Sequence, residues 1–242
     1  MSTMPQAILF DAVGTLLRPT PSVAEAYHAA GQRHGSRLTV AEIGATFDDA
    51  VTASLATDEA AEPHRTSEPQ ERQRWRAIVD HVFVDLKDDE PARAAIFEEL
   101  WQHFASIESW SLFADVEPVW QELAGAEIVL GVASNFDARL RTIAAGLPPL
   151  DRCAHWFISS EVGYRKPAPN FFARAADALG LAAEQILLVG DDVENDYRAA
   201  RAAGWQALLI DRRGDAATRH GLPEQHGLRR LTEVSQVLAL EI

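Results

Sequence analysis

The sequence predicts an α/β fold, a doubly wound parallel sheet with a helical bundle inserted after its first strand. Two observations lead there. In the second half of the chain, short apolar runs at 128–134, 156–158, 186–189 and 207–210 alternate with stretches of helical periodicity. Strand–helix alternation of this kind marks a parallel sheet covered on both faces. One more apolar run, 7–10, stands far upstream, separated by a helical pattern over 18–112. A buried strand cannot stand alone, so it has to join the same Rossmann-like sheet.

The first run ends in Asp11, followed by Ala12, Val13, Gly14 and Thr15. That places a carboxylate at the C-terminal edge of the sheet, where open α/β sheets bind ligands. Gly14 permits a tight turn and close backbone approach. Ser22 can cap a first helix with Val23, Ala26, Tyr27 and Ala30 on its apolar face, stopped near Gly35. A second helix starts near Thr39 and places Val40, Ile43, Phe47 and Val51 on one face. Thr39 and Glu42 have capping-box spacing. The stretch 57–73, polar and holding Pro63 and Pro69, reads as a loop. A third helix carries Trp75, Ile78, Val79, Val82 and Phe83, and a fourth, after Pro91, carries Ala92, Ile96, Leu100, Trp101 and Phe104.

These four helices form a bundle, and no strand is expected among them. Arg72, Arg74, Arg76 and His81 read as solvated charges, and Trp75, Trp101 and Phe104 as bundle core. A helix with Val119, Trp120 and Leu123 leads into the strand 128–134, and one with Leu140, Ile143 and Ala144 follows it. Pro169 opens a further helix that Gly180 ends. Another spans 197–203 before Gly204, and a last one carries Leu231, Val234, Val237 and Leu238. The expected division is a core of 1–17 and 113–242 with an insertion of 18–112.

Bulk properties narrow the function. The net charge of −14 argues against nucleic acid, whose binding needs clustered Lys and Arg. No apolar run approaches the roughly 18 residues of a membrane span. The first six residues have no basic region, so no signal peptide is expected. The single cysteine, Cys153, excludes an internal disulfide, which suits the cytoplasm. It has no glycine-rich turn beside it and reads as a packing residue. Zinc-type histidine spacing, G-x-G-x-x-G and the P-loop are absent. The expected protein is a monomer or homodimer.

The strand ends carry the chemistry. The first ends in Asp11, the next in Ser134 and Asn135. Lys166 follows the third, and Asp191 and Asp192 follow the fourth, with Asp196 close behind. Carboxylates of this kind suit Mg²⁺, which takes oxygen ligands and substrate phosphate. An Asp can attack phosphorus covalently. Ser134 and nearby N–H groups can hold phosphoryl oxygens, and Lys166 can offset their charge.

These motifs resemble those of the haloacid dehalogenase-like hydrolase superfamily. They are Asp11-Ala12-Val13-Gly14-Thr15-Leu16, then Ser134, Lys166 before Pro167, and Gly190-Asp191-Asp192-Val193-Glu194-Asn195-Asp196. The helical insertion resembles the capped subfamily IA. Phe10 to Leu16 and Ser134-Asn135-Phe136-Asp137 look most like the REG-2-like branch. The resemblance implies a phosphatase acting on a small phosphorylated metabolite. Asp11 would be the nucleophile, and Gly14, Thr15, Ser134, Asn135 and Lys166 the phosphate-binding set. Asp11, the Val13 backbone carbonyl, Asp191 and Asp196 would hold Mg²⁺. One position departs from the family pattern, because its phosphatases carry an acid–base Asp where this chain has Val13. Two alternatives therefore stay open: a binding or interaction protein with little turnover, and carbon-centred hydrolysis of dehalogenase type.

Overall fold

The computed structural model describes residues 4–56, 63–126, 128–212 and 227–228. The chain enters through strand β1 (Ala7–Phe10) and strand β2 (Leu17–Pro19). Helices α1 (Val23–Arg33), α2 (Val40–Ala56), α3 (Glu68–Val82) and α4 (Glu90–His103) follow, then β3 (Trp110–Leu112) and α5 (Val116–Ala124). The remainder runs β4 (Val129–Ser134), α6 (Arg139–Ala144), β5 (His155–Ile158), α7 (Ser159–Val162) and α8 (Pro169–Leu179). Strand β6 (Ile186–Gly190), a π-helical turn (Val193–Arg198), α9 (Ala199–Ala202), β7 (Gln206–Ile210) and β8 (Gly227–Leu228) complete it.

The sheet order is β5-β4-β1-β6-β7-β8, all parallel. The chain builds outward from β1 in one direction through β4 and β5, then crosses back to β6 and builds the other way. The two directions diverge around β1, which puts Asp11 at the switch point where such sheets bind ligands. Alternate side chains feed opposite faces. Ile8, Phe10, Val132, Leu187 and Val189 pack under α5 and α6 with Trp120, Leu140 and Ile143. Leu9, Ala133, Ile186 and Leu188 pack with Phe171, Phe172 and Trp205 on the other side. Burial on both faces explains why the strands read as continuous apolar runs.

Helices α1 to α4 enclose their own cluster, including Tyr27, Ile43, Ile78, Val82, Phe83 and Ile96. Phe104 packs against this cluster and against the sheet's. Helix α1 starts on a capping box between Ser22 and Glu25, and Thr39 and Glu42 exchange the same pair of bonds ahead of α2. No helix among the described residues is long and apolar enough to cross a membrane.

Three expectations are corrected. Strands β2 and β3 pair antiparallel, Leu17 opposite Leu112 and Pro19 opposite Trp110, so the segment 18–112 begins and ends in a two-stranded ribbon. Three residues are too few to show a period of two, and Pro19 disguises the first strand. The loop expected over 57–73 ends at Ser67. Pro69 lies in the first turn of α3, where a missing N–H costs nothing; 57–62 lie outside the described residues. Helical structure expected from Tyr197 begins at Val193, capped by Asp192, whose carboxylate accepts from the N–H groups of Glu194 and Asn195. The last expected helix, with Leu231 to Leu238, lies outside the described residues.

Gly131 tests the packing of the sheet. A Cβ there would sit 2.7 Å from Leu9 Cδ2 and 2.8 Å from the His155 carbonyl oxygen. Gly131→Ala is expected to lower stability by about 1–3 kcal/mol, read as an earlier urea midpoint with an unchanged slope.

Candidate active site

The parallel sheet delivers four loops to one edge. Asp11 follows β1, Ser134 ends β4, Lys166 lies between α7 and α8, and Asp191 follows β6. They meet in a polar cleft of about 190 Å³ that Val13, Asn135, Asp192, Asn195 and Asp196 also line. At its floor is the Lys166 ammonium, 2% exposed as a residue. It donates to Asp11 Oδ1 at 2.8 Å, to Asp196 Oδ1 at 2.5 Å and to the Ala133 carbonyl at 2.7 Å. All three ammonium hydrogens are thereby used. Burial alone would push the lysine pKa down, but Asp11 and Asp196 more than offset this and hold it above the ordinary lysine value.

One cation serves three carboxylates. Oxygens of Asp11, Asp191 and Asp196 lie within 4.8 Å of one another. Asp191 is raised to about 7, first by desolvation and then by the charges of Asp11 and Asp196. Asp196 is also raised to about 7, mainly because it is buried, although Lys166 pulls the other way. Hard oxygen donors gathered with too little positive charge fit a divalent cation such as Mg²⁺. Asp11, Asp191 and Asp196 are the side chains that would hold it.

Two glycines allow this crowding. A Cβ on Gly14, whose φ is +93°, would meet Asp191 Oδ2 at 2.2 Å, and one on Gly190 would meet Asp196 Oδ2 at 2.2 Å. The Thr15 hydroxyl, fully buried, donates to Asp191 Oδ1 at 3.1 Å. Gly14 and Thr15 therefore back Asp191 and do not line the cleft. Asn135 lines it, but its side chain is committed. Nδ2 donates to the Lys166 carbonyl at 2.9 Å and Oδ1 accepts from the Lys166 N–H at 2.8 Å. Asn135 is a positioning residue that ties the end of β4 to the lysine loop.

Sequence reasoning passed over Arg139. Its guanidinium grips Asp137 with two bonds of 2.7 Å, donates to the Trp101 carbonyl at 3.2 Å, and lies 3.5 Å from the Trp101 ring centroid. The Asp137-x-Arg139 spacing next to Ser134 was the available signal. It also faces a second cavity of about 290 Å³ between the helical segment and the sheet. Trp75, Trp101 and Phe104, expected as bundle core, line that cavity with Tyr27, Phe47 and Phe97. Val13 and Asn135 line both cavities, so the two meet at those residues. The arginines of α3 do not reach it: Arg72 pairs with Glu98 and Arg76 with Asp80 and Glu90. Arg74 is buried against Glu71, not solvated as expected. Burial pushes the Cys153 thiol up to about 11, consistent with a packing residue.

Known proteins resemble this chain over most of its length. The family model for haloacid dehalogenase-like hydrolases matches residues 5–204. The zebrafish (Danio rerio) haloacid dehalogenase-like hydrolase domain-containing protein 3 is 27% identical over 94% of this chain and 93% of its own length. A phosphoglycolate phosphatase of Xanthomonas campestris is 31% identical over 84% of this chain and 82% of its own. Among solved structures, a dehalogenase in an intermediate complex aligns with a TM-score of 0.73 at 18% identity, covering 99% of each chain. The HAD hydrolase YfnB of Bacillus subtilis, bound to magnesium, aligns at 0.72 and 18%, covering 98% of this chain and all of its own. These structural likenesses speak for the fold.

The electrostatics predict a pH response. Asp191 and Asp196 bind protons more readily folded than unfolded. Their charged forms therefore cost stability above about 7, and the cost is relieved as pH falls through that value. In EDTA the melting temperature should drop as pH rises from about 6 to about 8, and added Mg²⁺ should restore more at the higher pH. Asp191 remains solvent-exposed, so its share is modest. Asp191→Asn should raise the metal-free melting temperature at the higher pH by roughly 2–4 °C. A lower melting temperature in that variant would refute the repulsion.

Proposed function

The chain belongs to the haloacid dehalogenase-like hydrolases, and on that premise we propose that it is a Mg²⁺-dependent phosphatase of small phosphorylated metabolites. The observation that carries the proposal is the single buried ammonium of Lys166 bonded to Asp11 and Asp196, with Asp191 beside them at the switch point of the sheet. The phosphoglycolate phosphatase among its relatives supports the phosphatase reading.

In this reading the Asp11 carboxylate oxygen not held by Lys166 attacks phosphorus. The bond from phosphorus to the ester oxygen breaks, and that oxygen leaves with the electron pair. Water then attacks the aspartyl-phosphate, the Asp11–phosphorus bond breaks, and inorganic phosphate departs. Lys166 holds the Asp11 carboxylate through a direct bond, and the Ser134 hydroxyl, which lines the cleft, would hold a phosphoryl oxygen. Bound Mg²⁺ supplies charge neutralisation at the phosphoryl oxygens. Val13 can neither donate a proton to the leaving oxygen nor take one from the attacking water. General acid–base catalysis is worth about 10²–10⁴-fold, so turnover of unactivated esters is slow.

The missing acid also favours a second reading, a site that holds phosphate without turning it over. Phosphate release from a panel of esters and acyl phosphates, with and without Mg²⁺, separates the two. The expected result is Mg²⁺-dependent release that Asp11→Asn abolishes and that Val13→Asp raises at least tenfold for alkyl esters. Phosphate binding without release in the wild type and in Val13→Asp would move the conclusion to the second reading.

A further inference from the structure

Two separate features of the chain bear on what leaves when phosphorus is attacked. The first is the cavity beside the cleft. Eight aromatic side chains contribute to its wall, among them Tyr27, Trp75, Trp101 and Trp110. Its two strongest donors are already engaged. Asn135 spends its amide on the Lys166 backbone. Arg139 spends its charge on Asp137 and lies flat against Trp101. No carboxylate and no other cation lines the cavity among the described residues. No free cation there would hold a second anion, and the polar atoms in the wall are too few for a row of sugar hydroxyls. The volume, about 290 Å³, is at the lower end of ligand pockets. A dry cavity of about 150 Å³ takes a benzene ring, so this one has room for one or two rings.

The second feature is Val13, which stands where cavity and cleft meet. A leaving oxygen at that point receives no proton from Val13. A phenol-type oxygen, whose acid titrates near 10 as in Tyr, departs as the anion far more easily than an alkoxide, whose acid is close to water at about 15.7. The shape of the cavity and the lost acid therefore select the same group.

We propose that the substrate is an aryl phosphate monoester, an apolar and uncharged phenol-type group of one or two rings seated in this cavity with its phosphate in the cleft. The proposal rests on the phosphatase reading above. Asp11 takes the phosphoryl group, the phosphorus–oxygen bond breaks with its electrons on the aryl oxide, and that oxide takes a proton from solvent. The arginine stacked on Trp101 forms part of the wall and does not recognise charge.

Selectivity of the purified full-length chain in Mg²⁺ tests this. The probes are 1-naphthyl phosphate, O-phosphotyrosine, cyclohexyl phosphate and acetyl phosphate. The expected kcat/KM for 1-naphthyl phosphate exceeds that for O-phosphotyrosine, which has the same kind of leaving oxygen but carries charge, by at least tenfold. It exceeds that for cyclohexyl phosphate, apolar but an alkoxide, by at least a hundredfold. Val51→Trp, which fills the cavity from α2, should cut the preference for 1-naphthyl over acetyl phosphate at least tenfold. Should that variant not fold, the wild-type ratios decide alone. Turnover of acetyl phosphate with no preference among the three esters overturns the aryl assignment and leaves the phosphatase standing. No turnover of any probe overturns the phosphatase reading, and this one with it.

Discussion

One buried ammonium holds the site together. Lys166 is buried, so its charge has to be met by protein, and the protein meets it with Asp11, Asp196 and the carbonyl of Ala133. Those partners come from the end of β1, the end of β4 and the π-helical turn after β6, and breaking any one would leave an uncompensated buried group, a costly outcome. The lysine is in turn seated by Asn135, which mimics a strand partner by bonding both its N–H and its carbonyl. Lys166 is the one cation lining the cleft among the described residues, and its three hydrogens are spent. Asp191 is left facing two like charges at the mouth of the cleft, with a threonine hydroxyl as its neutral partner. A site so built gathers like charges whose repulsion a divalent cation would relieve.

Much of this was legible in the sequence, and the reasons differ by element. The sheet strands read clearly because both faces are buried, so apolar runs end abruptly at polar residues. Asp11, Ser134, Lys166 and Asp191 stood out because each follows such a run. The β2–β3 ribbon was hidden, since three residues around Pro19 carry no periodic signal. The roles of Thr15 and Asn135 were hidden for another reason: an amide or hydroxyl near a phosphate site looks the same in sequence whether it faces the ligand or braces a neighbour. The cavity was the hardest to foresee. Trp75, Trp101 and Phe104 fall on helical faces that pack the bundle, and only the three-dimensional arrangement shows that the same rings leave space beside Val13.

Val13 links the two halves of the molecule. A carboxylate at that position would sit between a polar cleft and an aromatic wall, and a valine continues the wall to the edge of Asp11. The helical segment is fastened at the same place. Glu68 accepts from the Ala138 N–H at 2.9 Å, and Arg139 reaches the Trp101 carbonyl. The backbones of Thr66 and Arg165 bond across to Gly163 and His64. These polar bonds fasten the helices at the rim, while the rings beneath enclose the cavity of about 290 Å³.

The insertion also sets the order in which the chain can assemble. Ala7 pairs with Val129 and with Ile186, so β1 cannot join its sheet until most of the chain is made. Helices α1 to α4 depend on near neighbours in sequence and enclose a cluster of their own. Contacts between close residues form early, and closing a long loop comes late. During synthesis the helical segment is therefore expected to become ordered while the first strand still waits, exposed, for its partners. In that interval the Asp11 strand, apolar and unpaired, is the stretch a chaperone would have to shield.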